Sequence, residues 1–114
     1  MSDASMIQLL SGYLKVATDR QQVIASNMAN VDTPGYHTRD INFRQAMQEV
    51  MSPDGEPQLQ TTSLEIPGLP ERPDGNNVNV DRESMMLSET QLQYQMGVQL
   101  IKSQFHTLLT AIKD

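Results

Sequence analysis

Side chains able to do acid, base, nucleophilic or metal chemistry are few and scattered in this sequence. It holds two histidines, His37 and His106, far apart in the chain, and no cysteine. Thiolate zinc sites, disulfides and cysteine nucleophiles are therefore excluded, and no His-Glu-x-x-His helix or ligand-spaced carboxylate set is present. His106 adjoins Phe105 on a helical stretch and His37 follows a turn, so both read as ordinary structural histidines. Glu71 and Asp74 could in principle share acid and base roles, but they stand in a proline-rich stretch with no pocket-forming frame and read as solvated loop charges. No Gly-x-Ser-x-Gly elbow, phosphate-cradling glycine loop or dinucleotide fingerprint occurs. The expectation is a chain without catalysis, cofactor or metal.

Fourteen acids against eight bases give a formal net charge of −6. The Lys and Arg residues form no cluster along one helical face, so a phosphate-tracking nucleic-acid surface is not expected. Runs of consecutive apolar residues stop at three, at 23–25 and 85–87. Neither a membrane-spanning helix nor the apolar core of a signal peptide is expected, and export would need a route without a cleavable signal.

The specific signals shape backbone instead. In the string Asn27, Met28, Ala29, Asn30, Val31, Asp32, Thr33, Pro34, Gly35, Tyr36, Pro34 fixes φ near −65° and Gly35 tolerates positive φ, which predicts a type II turn over 33–36. Thr33, preceding a proline, is pushed out of the helical region, so a helix must end just before it. Asn30 and Asp32 can satisfy backbone groups freed there, Asn27 and Asn30 form an amide ladder one turn apart, and Tyr36 packs its ring with its hydroxyl in water. A second turn is expected over 74–77, with Val78 and Val80 alternating about Asn79 as a brief extended lead into the C-terminal stretch.

These motifs must be positioned by the segments around them. All six prolines and most glycines fall between residues 33 and 80, dividing the chain into an N-terminal helix (1–32), a middle (33–80) and a C-terminal helix (81–114). Steps of three and four in the first arm pass through Ile7, Leu10, Leu14, Ala17, Gln21, Ile24, Met28 and Val31. The same steps in the last arm pass through Leu87, Gln91, Tyr94, Val98, Ile101, Phe105, Leu108 and Ile112. Each is a coiled-coil seam with one polar break. Asp81 is expected to cap the second helix, over 82–113, and Asp40 a short helix over 40–51 with Phe43, Met47 and Val50 on one face. Residues 52–73 are expected to make turns and one short extended stretch near 59–66, flexible or ordered by a partner. The fold class is mainly α, with the two long helices paired as an antiparallel coiled-coil hairpin around a short helix and an irregular Pro/Gly-rich middle.

Away from the seams the helices carry neutral Gln, Asn, Ser and Thr where a solitary coiled coil would carry Glu and Lys pairs. Burial of the seam side chains alone does not offset the entropy of ordering both helices. Both facts point to a subunit that packs against further helices.

The 27–36 string resembles the motif of the bacterial flagellar rod, or axial, protein family, which runs Asn-x-Ala-Asn-x-x-Thr-Pro-Gly-Tyr and is matched here by Asn27, Ala29, Asn30, Thr33, Pro34, Gly35 and Tyr36. Residues 72–83, including Asp74, Gly75, Asn76, Val78, Asp81 and Glu83, are similar to the approach to the C-terminal helix in a proximal-rod member of that family. The resemblance implies a non-enzymatic structural subunit of the proximal rod of the flagellar basal body, polymerising into a helical tube that transmits torque from the MS ring to the distal rod and hook. It implies as partners further copies of the chain, the rod neighbours FliE and FlgC, and the flagellar type III export apparatus. The implied location is the rod within the periplasm, reached without a cleaved signal peptide. Two alternatives stay open: another short rod protein of the family, like FlgC, and a helical adaptor or export chaperone.

Overall fold

A computed structural model describes residues 3–52 and 61–113. It runs α1 (Asp3–Ala29), β1 (Arg39–Ile41), α2 (Phe43–Met51), β2 (Ser63–Glu65) and α3 (Val80–Lys113), with principal extents of 65 × 28 × 19 Å. The two long helices pack together. Asn27 of α1 meets Glu83 of α3, Arg20 meets Met86, and Tyr13 and Leu14 lie against Gly97.

Both helix starts differ from the expected caps by two residues. The α3 helix begins at Val80, and the Asn79 side-chain oxygen accepts the Arg82 amide at 3.1 Å, so Asn79 caps it and Asp81 sits in the first turn beside the positive end of the helix dipole. In α2 the cap is Asn42, whose Oδ1 accepts the Gln45 amide at 3.0 Å. Asp40 is instead held in β1, where its carboxylate takes a forked pair of bonds from Arg20, at 3.0 and 3.2 Å. The Asp40 Oδ1 also accepts the Ile41 amide at 2.7 Å, so the carboxylate is held within β1 and Asn42, two residues on, caps the helix.

One apolar cluster lies between α1, β1 and α2, apart from the line where the two long helices meet. Val16, Ile41 and Ala46 are buried there, with Val23, Phe43 and Met47 packed around them and the Tyr13 ring edge-on to Phe43 at 5.4 Å. The middle segment is fastened to this core. β2 pairs antiparallel with β1 in the register Arg39 to Glu65 and Ile41 to Ser63, Arg39 grips Ser63 through its side chain, and Thr61 donates its amide and hydroxyl to Asp19. Residues 61–73, expected to be flexible or ordered by a partner, are thus ordered within the chain itself. The expected turns at Pro53 through Pro57 lie outside the described residues.

Along α3 the face turned to α1 carries Glu83, Thr90 and Gly97, all buried. Opposite them Leu10, Ala17 and Ile24 of α1 are buried. Gly97 permits the approach: a Cβ there would stand 2.7 Å from Leu14 Cδ2 and 2.9 Å from the Tyr13 ring.

Candidate functional site

The two sequence motifs fold into one polar clasp at the end of the helix pair. After α1, the Tyr36 amide donates to the Thr33 carbonyl at 3.2 Å and Gly35 takes φ +75°, closing the expected turn. Asn30 bridges the helix end, donating to Ser26 O at 2.8 Å and accepting from the Thr33 hydroxyl at 3.0 Å.

Asn76, fully buried, reaches across from the second motif. Its Nδ2 donates to the carbonyls of Asn30 and Thr33, both at 2.9 Å, and its Oδ1 accepts the Val78 amide at 2.8 Å. The Gly35 amide returns a bond to the Asp74 carbonyl at 2.9 Å, and the Arg72 guanidinium donates to the Val31 carbonyl. Gly75 sits at φ +86° so close to the first turn that a Cβ would lie 3.3 Å from Gly35 Cα. These bonds take up the carbonyls of Asn30, Val31 and Thr33 in the turn that follows α1.

Asn27 is the second anchor. Its buried carboxamide donates to the Arg39 carbonyl at 2.8 Å and Glu83 Oε2 at 3.0 Å, and accepts from the Tyr36 hydroxyl at 3.0 Å and the Arg39 amide at 3.1 Å. All four of its hydrogen-bonding positions are filled. The Tyr36 hydroxyl is therefore bonded inside the clasp and not in water, as its sequence context suggested. Glu83, equally buried, receives Arg82 Nη1 on its other oxygen at 2.7 Å, and Arg82 approaches the Asp40–Arg20 pair at 3.9 Å. Burying the carboxylate is tolerated because cation and amide both reach it.

Of the remaining motif positions Ala29, Pro34 and Asp81 are exposed and outside these contacts, while Val78, whose amide Asn76 holds, is buried. Asn77, read from the sequence only as part of the turn over 74–77, also joins the two motifs: its Oδ1 accepts the Thr38 amide at 2.6 Å and its backbone amide donates to the Tyr36 carbonyl. Its place inside the Asp-Gly-Asn-Asn turn was the available signal.

Of the seam residues, Leu10, Ala17 and Ile24 are buried, Ile7, Leu14, Met28, Val31, Leu87, Val98, Ile101 and Leu108 are half-buried, and Tyr94, Phe105 and Ile112 are exposed. The C-terminal seam thus runs beside the line of contact with α1, along one flank of α3.

This arrangement fixes backbone. Among the described residues no three His, Asp or Glu side chains gather around a possible metal position, and no helix is long and apolar enough to cross a membrane. His37 lies between two exposed carboxylates, Glu65 at 3.5 Å and Glu71 at 3.0 Å, as part of the fastening of the middle segment.

The comparisons with known proteins agree with such a role. The family described as "Flagella basal body rod protein" matches residues 14–37, from the middle of α1 through the first turn of the clasp. The flagellar basal body rod protein FlgB of Aeromonas hydrophila is 37% identical over 88% of this chain and 86% of its own length. The Salmonella typhimurium FlgB is 32% identical over 88% and 87%, and that of Escherichia coli 31% over 89% and 88%. Identity at this level over nearly nine-tenths of the chain places it in the FlgB family of flagellar basal body rod proteins, which are structural subunits and not enzymes.

Proposed function

We propose that the chain is a subunit of the proximal rod, in which α1 and α3 pair as an antiparallel coiled-coil hairpin and copies polymerise into a helical tube. Membership of the family brings the basal body as location and other rod and basal-body components as associates. The finer reading divides the chain into assembling arms, 1–32 and 81–114, and a middle, 33–80. FliE, FlgC and further copies are its neighbours. The tube stands in the periplasm and carries torque from the MS ring to the distal rod and hook. The chain arrives through the flagellar type III export apparatus without losing a signal peptide.

One observation carries this reading: α3 leaves most of its apolar side chains uncovered in a single copy, Leu92, Phe105, Leu109 and Ile112 being 57, 48, 57 and 72% exposed. Apolar surface spread around a helix is covered in the working state by other helices. Cells deleted for the chain should make no hook and not swim, and restoring it should return both, with the chain recovered in purified basal bodies. Restored swimming with the chain absent from basal bodies would overturn the proposal.

A further inference from the structure

The uncovered side chains of α3 fall on two flanks. One is the seam flank of Tyr94, Phe105 and Ile112. The other carries Met85, Leu92, Met96 and Leu100, which are 59, 57, 55 and 53% exposed and whose spacing puts them on one side of the helix, turned away from the Glu83, Thr90 and Gly97 face. Along this second flank a single charge occurs, Glu89, which is exposed and has no ion pair among the described residues.

The outward side of α1 is its counterpart in size and charge. Ser11, Thr18, Gln22 and Ala25 lie there at steps of three, four and seven, short or neutral, with Ser11, Gln22 and Ala25 exposed. The single charge on that line is Lys15, 39% exposed and bonded at 2.8 Å to Asp19 on one side only. One line is bulky with a lone acid, and the other is slender with a lone base.

Resting on the reading of the chain as a polymerising subunit, we infer that the Met85–Leu92–Met96 flank of α3 docks on the outer stripe of α1 in a second copy, with Glu89 opposite Lys15. In the antiparallel sense this register sets Leu92 beside Ser11 and Met85 beside Thr18. Bulky side chains then enter the space left by short ones, and the charges meet. The two surfaces differ and sit on different sides of the molecule, so the contact is head-to-tail and generates an open polymer rather than a closed dimer.

The natural absence of cysteine makes a disulfide test clean. Ser11→Cys and Leu92→Cys chains are produced separately; both positions face solvent, so each is expected to keep the far-ultraviolet circular dichroism of the parent. Oxidised basal bodies from cells making both variants should yield a linked dimer, whereas cells making either alone should not. Linkage of Leu92→Cys chains to one another would show like-to-like pairing and overturn the inference. So would absence of linkage in rods that contain both variants, since another protein would then cover the flank while the rod reading survives. If the parent chain itself is missing from rods, both the reading and the inference built on it fall.

Discussion

The Asn27 carboxamide donates to the Glu83 carboxylate across 3.0 Å, in an interior that solvent does not reach, although the two residues stand 56 positions apart. The bond ties the last turn of α1 to the first turn of α3. It is satisfied only when the turn at Tyr36, the strand at Arg39 and the start of α3 are all in place. A buried polar contact of this kind fixes register more than it adds stability, because any slip leaves a carboxylate and an amide without partners. The two sequence motifs are halves of that one lock.

Removing the carboxamide should therefore cost more than losing a surface bond. Asn27→Ala strands the Glu83 carboxylate, the Tyr36 hydroxyl and the Arg39 backbone together, and a loss of about 3 kcal/mol is expected in urea denaturation. Asn27→Asp keeps the shape but sets a second carboxylate against Glu83. Its penalty should be greatest at neutral pH and shrink in mild acid as one of the pair takes a proton. A penalty independent of pH would argue against direct contact with Glu83.

The two glycines of the clasp should differ in tolerance. Both adopt positive φ, but a Cβ at Gly35 meets nothing within 4 Å, whereas one at Gly75 lies 3.3 Å from Gly35 Cα. Gly35→Ala is expected to cost about 1 kcal/mol of backbone strain, and Gly75→Ala that plus a displacement of the neighbouring turn. Urea midpoints of the two variants decide it, and equal midpoints would mean the clasp yields freely.

Much of the fold was legible in the sequence, and the misses share one cause. Heptad spacing located both long helices, and proline and glycine chemistry located the turn at Thr33 to Tyr36. On α3, however, the strongest apolar period traces a flank rather than the line facing α1, because that line is built from Glu83, Thr90 and Gly97. Those residues suit it through bonds and close approach: Arg82 neutralises the buried carboxylate and Asn27 donates to it, Thr90 bonds to the Met86 carbonyl within its own helix, and Gly97 admits Leu14. An apolar count cannot register any of these. The displaced cap of α2 has a similar origin, since Asp40 is committed to Arg20, which lies twenty positions away in the chain.

Acid should loosen the middle segment through Asp19. Burial alone would raise that carboxyl, but the hydrogen bonds from the Lys15 ammonium and from the hydroxyl and amide of Thr61 outweigh it and hold the group below its ordinary value of 3.8. A folded-state value below the unfolded one contributes stability that is complete above the unfolded value and is lost as pH falls through the folded one. The parent chain should therefore lose stability on acidification below about pH 5, and Asp19→Asn should show a shallower loss and converge with it in strong acid. Parallel acid limbs in urea titrations would remove Asp19 from the account.

Exposed and buried seam positions should separate folding from assembly. Ile24 is 2% exposed, so Ile24→Asp buries an unpaired charge against α3 and is expected to cost about 4 kcal/mol, abolishing the folded chain and swimming alike. Phe105 is 48% exposed in a single copy. Phe105→Asp should change the stability of the purified chain by no more than about 0.5 kcal/mol. In the rod the same side chain would be covered by a neighbouring helix, and a desolvated carboxylate there would find no partner, so recovery of the variant in basal bodies should collapse. Ile101→Asp, at a half-buried position on the same flank, should show both losses in part. Normal rods built from Phe105→Asp chains would mean that this flank of α3 faces solvent in the assembled tube, and that its apolar residues have another use.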